Sequence, residues 1–163
     1  MRNLLKALPL FMLTALPQNL NAQDGEGRRL SESAFENIAG SKRGWVDQGV
    51  FANAGADVFA AMDYDKDLKL TLAEFLVFDT GMRAVAEESG RLDAHETAMR
   101  VVFAFWDRDG DGLVSKSEHS RSLSYDFRRA DVDANGKLTL DEFVSGFTIM
   151  VALRAAINPA PVE

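Results

Sequence analysis

An all-α chain of two pairs of helix-loop-helix units, the first unit degenerate, is what three features of the sequence predict. A twelve-residue pattern recurs, phenylalanines keep step with it, and stop signals divide the stretches between copies. The pattern occupies Asp63 to Glu74 (DYDKDLKLTLAE), Asp107 to Glu118 (DRDGDGLVSKSE) and Asp131 to Glu142 (DVDANGKLTLDE). The starts of the last two differ by 24 residues, and stepping back 24 from Asp63 reaches Ala39. Ala39 to Val50 (AGSKRGWVDQGV) keeps glycine at position 6 and an aliphatic residue at position 8 but loses the acidic positions. Four residues before each start stands a phenylalanine, at Phe35, Phe59, Phe103 and Phe127. The residue after each copy is Phe51, Phe75 and Phe143, with His119 in the remaining place.

Helices follow in order. Ser33 with Glu36 and Asp93 with Glu96 have the spacing of capping boxes, each opening a helix that runs into a copy of the pattern. A helix from Leu72 to about Glu88 stops at Ser89-Gly90, and another covers Asp93 to Trp106. Only twelve residues separate the copies within a pair, Phe51 to Met62 and His119 to Ala130, which predicts short helices and a tight turn. The last helix, from about Leu140 to Ala156, ends before Asn158-Pro159, since proline has no N–H to continue it. Val46, Leu70, Val114 and Leu138, all at position 8, are suited to join paired loops through a short two-stranded β contact. The expected organisation is a signal peptide at 1–22, a first pair at 23–90 and a second at 91–163.

The signal peptide rests on Arg2 and Lys6 before an apolar stretch from Ala7 to Leu16, with cleavage expected after Ala22. About ten apolar residues fall short of the roughly 20 that span a bilayer, which argues against an uncleaved anchor, and the mature chain has no long apolar run, so no membrane insertion is expected once the leader is removed. An exported setting, periplasmic or extracellular, follows. The chain has 18 basic and 25 acidic side chains, a charge of −7, and loss of Arg2 and Lys6 leaves −9. Such a chain suits cations and argues against nucleic acid as partner. Without cysteine there is no disulfide, thiolate metal site or thiol chemistry.

The pattern itself points to a hard cation. Calcium takes six to eight oxygens, supplied by positions 1, 3, 5, 7, 9 and 12 of such a loop. One loop offers Asp107, Asp109, Asp111, the Leu113 carbonyl and Glu118, with Gly112 at the turn and Ser115 acting through water. Another offers Asp131, Asp133, Asn135, the Lys137 carbonyl and Glu142, with Gly136 at the turn. The third keeps Asp63, Asp65, Asp67, the Lys69 carbonyl and Glu74, but has Leu68 where the turn calls for glycine. About three Ca²⁺ ions are therefore expected, with Mg²⁺ as competitor. The Asp63 site should be the weakest, through the strain at Leu68 and through pairing with the ligandless Ala39 loop. The phenylalanines and Trp106 are expected in the core, and His95 and His119 on the surface.

These residues resemble the calmodulin-like EF-hand superfamily, and in particular the small exported bacterial proteins with closely spaced loops. The resemblance implies paired helix-loop-helix units that bind calcium, as sensor, buffer or calcium-stabilised module, with a protein or peptide partner in the sensor case. Another reading is a calcium-dependent accessory subunit of a secreted or periplasmic enzyme. A carboxylate-based hydrolase is the contrasting class. Eleven of the 25 acidic residues are already assigned to the loops, and no nucleophile or phosphate-loop motif is present, so no enzymatic activity is expected.

Overall fold

A computed structural model describes residues 20–40 and 43–158. The predicted leader falls almost wholly outside them, with Leu20 to Ala22 placed as the start of the first helix. The elements run α1 (Leu20–Ala39), β1 (Trp45–Asp47), α2 (Gln48–Met62), β2 (Lys69–Thr71), α3 (Leu72–Val77), α4 (Met82–Glu88), α5 (Leu92–Trp106), β3 (Leu113–Ser115), α6 (Lys116–Ala130), β4 (Lys137–Thr139), α7 (Leu140–Gly146) and α8 (Thr148–Ile157). The fold is mostly helical, with short strands inside the loops, as expected.

The helix boundaries differ from expectation in ways with local causes. The Ser33 capping box is absorbed inside α1, and α5 starts at Leu92 with no side-chain cap. The helix expected from Leu72 to Glu88 breaks between α3 and α4. There Asp79 accepts the Gly81 N–H at 2.8 Å and Gly81 takes φ +83. The expected 140–156 helix bends at Phe147, where Gly146 passes so close to Ala130 that a Cβ would sit 2.5 Å from its Cα. Gly90, with φ +67, does follow a helix end, and Arg91 N–H closes the turn onto the Ala86 carbonyl at 2.7 Å.

The largest correction concerns the twelve-residue gaps. Each holds a single uninterrupted helix rather than two short ones: α2 carries the chain from the Ala39 loop to the Asp63 loop, and α6 from the Asp107 loop to the Asp131 loop. Fifteen residues at 1.5 Å each make a rod of about 22 Å, so successive loops lie at opposite ends and cannot pair. The ladders connect other partners. β1 pairs antiparallel with β4, Val46 facing Leu138, and β2 with β3, Leu70 facing Val114. The position-8 residues do make the β contacts, each at most 1% exposed, but the expected pairing of neighbours in sequence is replaced by first with fourth and second with third.

The aromatic residues sort by the same rule. Phe35, Phe51, Phe127, Phe143 and Phe147 meet beneath β1 and β4, with ring centroids 5.1 to 6.4 Å apart. Phe59, Phe75, Phe103, Trp106 and His119 meet beneath β2 and β3 at 5.1 to 5.6 Å. Each set combines the flanking aromatics of loops now known to pair. The buried apolar residues form one continuous cluster across Gly90, the expected boundary between the first and second pairs. An apolar cavity of about 280 Å³ lies between the two sets, lined by Phe51, Phe143 and Phe147 on one side and Phe75, Trp106 and His119 on the other.

Candidate metal centres

Three loops share one construction. The position-1 aspartate accepts backbone N–H groups from further along its loop: Asp63 Oδ2 from Leu68 at 3.1 Å, Asp107 Oδ2 from Gly112 at 3.0 Å, Asp131 Oδ2 from Gly136 at 2.9 Å. Its other oxygen, with the position-3 aspartate, accepts the position-5 N–H, at 3.2 Å from both in the Asp63 loop and 3.1 Å from both in the Asp107 loop. The loop is thereby wrapped around its own carboxylates. The position-12 glutamate closes it. Glu74, Glu118 and Glu142 each accept the position-2 N–H through Oε1, from Tyr64 at 3.0 Å, Arg108 at 2.9 Å and Val132 at 3.1 Å. Their Oε2 atoms accept the N–H and hydroxyl of Thr71, Ser115 and Thr139.

Those last contacts are true capping boxes, opening α3, α6 and α7. They give position 9 a role that the sequence reading missed. Ser115 was expected to act through water, yet its hydroxyl also fixes the glutamate. That hydroxyl is the main reason the Glu118 carboxyl is lowered to about 2, with burial opposing and the Ser115, Arg108 and Asp109 N–H groups assisting. Glu74 and Glu142 are lowered too, each chiefly by the backbone N–H of its capping residue.

The result is three carboxylate triads, Asp63/Asp65/Glu74, Asp107/Asp109/Glu118 and Asp131/Asp133/Glu142, each with one oxygen per residue all within 4.8 Å of one another. Asp67 and Asp111 stand outside these triads, as does the amide Asn135. Each instead receives the position-7 N–H, from Lys69 at 2.8 Å, Leu113 at 2.9 Å and Lys137 at 2.8 Å. The position-7 residues begin β2, β3 and β4. A carboxylate has about four lone-pair sites, so N–H groups that aim these oxygens leave capacity for a cation. Packing like charges this closely stores repulsion that a bound cation relieves. The donors are oxygens only, which fits calcium or magnesium and excludes a thiolate-preferring metal.

Backbone strain is unequal among the loops. Positions 4 and 6 are left-handed in all three: Lys66 and Leu68 at φ +61 and +67, Gly110 and Gly112 at +75 and +85, Ala134 and Gly136 at +55 and +77. Strain at Leu68 is therefore as expected, while the second strained position was not anticipated. The Asp107 loop has glycine at both positions, the Asp131 loop at one and the Asp63 loop at neither.

In the Ala39 loop, Ala39 still belongs to α1, and among the described residues no acidic triad forms there. Gly44 retains the left-handed turn at φ +64, and Asp47 caps α2 by accepting the Val50 N–H at 2.9 Å. The Trp45 ring instead gathers positive charge, with Arg43 5.4 Å and Lys137 of the Asp131 loop 4.3 Å from its centre.

Both histidines depart from expectation. His119 is 3% exposed between Phe59 and Trp106, and burial lowers it to about 4. His95 is buried as well and lowered, mainly by burial and then by Arg83. For His119 the signal was present, because it occupies the place of Phe51, Phe75 and Phe143.

Loops of this construction between helices, closed by β ladders, define a helix-loop-helix cation-site architecture. Within it, residues 125–147, from α6 through the Asp131 loop into α7, match the family model described as EF hand. The chain is also 26% identical over 120 residues to a probable calcium-binding protein, CML21, of Arabidopsis thaliana, covering 60% of this chain and 52% of the relative. It spans about half the length of that relative. Both findings support the calmodulin-like EF-hand superfamily.

Proposed function

We propose that the protein binds calcium through the Asp63, Asp107 and Asp131 loops and acts by binding rather than by catalysis. The observation that carries this is the convergence of the three carboxylate triads at equivalent loop positions. Positions 1, 3, 5 and 12 would supply side-chain oxygens and Lys69, Leu113 and Lys137 their carbonyls, with no ion held by the Ala39 loop. The relative's description as a probable calcium-binding protein supports the same reading. The setting is export, read from the N-terminal residues. A sensor role is favoured by the cavity between the two aromatic sets, which gives the helices room to rearrange when the triads are neutralised.

Calorimetric titration of residues 23–163 should saturate at three calcium ions, and Glu74→Gln, Glu118→Gln and Glu142→Gln should each abolish or severely weaken one site. Saturation at a different number, or no calcium binding at all, refutes the assignment. In a sensor, calcium should also raise the fluorescence of the apolar dye ANS, whereas a buffer would leave it unchanged.

A further inference from the structure

We propose that Lys69, a residue of the Asp63 loop, sets the affinity of the neighbouring Asp107 loop by occupying one of its carboxylates; this rests on the calcium reading above. The Lys69 ammonium lies 3.7 Å from Asp111 Oδ2, across the β2–β3 ladder in which Lys69 faces Ser115. Its backbone has little freedom to move away. The Leu68 carbonyl accepts the Lys116 N–H at 3.1 Å, and the Lys69 N–H is donated to Asp67 at 2.8 Å. The ammonium is thus an internal cation tethered beside a position-5 carboxylate that a divalent ion needs. It must release Asp111 when the ion arrives, and afterwards it is repelled by the ion.

The molecule contains its own control. Lys137 is the equivalent residue of the Asp131 loop and also heads a strand of an antiparallel ladder, facing Asp47. Its ammonium rests over Trp45 at 4.3 Å, and among the described residues the loop across from it carries no acidic triad. The reverse contact is absent as well, because Leu113, the position-7 residue of the Asp107 loop, has no charge to offer Asp67. The effect therefore runs one way, from the Asp63 loop onto the Asp107 site.

The test follows calcium titration by NMR in full-length mature protein, residues 23–163. The Leu68, Gly112 and Gly136 amides each donate to the first aspartate of one site and report it separately. Lys69→Met keeps the stem and removes the charge. Both partners are 44% exposed, so screening limits the effect. The Gly112 midpoint should move to about two- to fivefold lower calcium at low ionic strength. The shift should shrink toward none at 1 M salt, where the screening length is about 3 Å. Lys137→Met should move the Gly136 midpoint by less than about twofold. An unchanged or weakened Gly112 midpoint in Lys69→Met overturns the proposal, as does an equal response to the two substitutions. If none of the three amides responds to calcium in the unsubstituted protein, the calcium reading itself has failed, a result distinct from either of these.

Discussion

The two ends of the molecule are built alike and charged differently. Each has a two-stranded ladder closed by a pair of buried aliphatic residues over a set of aromatic rings. At the β2–β3 end, eight carboxylates gather: Asp63, Asp65, Asp67, Glu74, Asp107, Asp109, Asp111 and Glu118. At the β1–β4 end the only triad among the described residues is Asp131, Asp133 and Glu142, and its companion loop presents Arg43 and Trp45 instead. The ladder and the apolar base can thus be kept while the ion site is discarded. The Ala39 loop, with Val46 1% exposed and facing Leu138, shows the scaffold surviving without its ligands.

The contrast also changes the expected order of the sites. Pairing of the Asp63 loop with a ligandless neighbour was one of two reasons to rank it weakest. The structure gives it the Asp107 loop as neighbour and leaves the Asp131 loop beside the ligandless one. The strain argument remains, and the isolation argument transfers to Asp131.

Calcium removal should separate the ends most. With chelator, hydrogen exchange should accelerate at the amides of residues 69–71 and 113–115 by at least about tenfold more than at residues 45–47 and 137–139. The unneutralised carboxylates repel one another mainly at the first end. Equal acceleration at both ladders would mean that local charge does not govern ladder stability.

Acid should act on the same end next. A histidine whose folded pKa lies below its unfolded value near 6.5 stabilises the fold above that pH, and this contribution is lost as pH falls toward the folded value. For His119 the window runs from about 6.5 down to about 4. His95 acts in the same direction below its usual range. The capping glutamates follow, from about 4.5 toward about 2 at Glu118. Thermal melts of chelated protein should therefore fall between pH 6.5 and 4, and His119→Phe should flatten much of that slope. An unchanged slope in the variant would remove His119 from the account.

The smallest effect concerns strain. Leu68→Gly relieves roughly 1 to 2 kcal/mol of left-handed cost and returns part of it as unfolded-chain entropy, for a net gain of about 0.5 to 1 kcal/mol. Denaturant unfolding should detect this, whereas Gly112→Leu at the unstrained loop should destabilise. Destabilisation by Leu68→Gly would show that the Leu68 side chain, 59% exposed, contributes more than its backbone costs.

How legible all this was depended on range. The loops, the turn at position 6 and the core phenylalanines were readable because each is encoded within a few residues of the repeated pattern. The ladder partners were not, because Val46, Leu70, Val114 and Leu138 are all aliphatic and any two would pair acceptably. What decides is whether the residues between loops form one helix or two. The first gap holds one helix with Gly55 inside it, where a Cβ would lie 2.0 Å from Leu123 Cδ1, so the glycine lets α2 pack on α6. Ser33 and Asp93 were read as caps on spacing alone, while the real caps at Thr71, Ser115 and Thr139 were hidden by their place inside the loops.

The ladder order has a consequence for how the chain folds. Leu70 and Val114 are 44 residues apart, Val46 and Leu138 are 92 apart, and the shorter interval lies wholly inside the longer. The two closures are nested like brackets. Doubling a loop costs about 0.6 kcal/mol in chain entropy, so the inner bracket closes at lower cost. Once closed, it shortens the effective tether of the outer one. A ribosome that has released only residues up to Gly90 has delivered β1 and β2 but the partner of neither. The molecule must wait for its second half before either bracket shuts, and the β1–β4 end is the last to receive its partner.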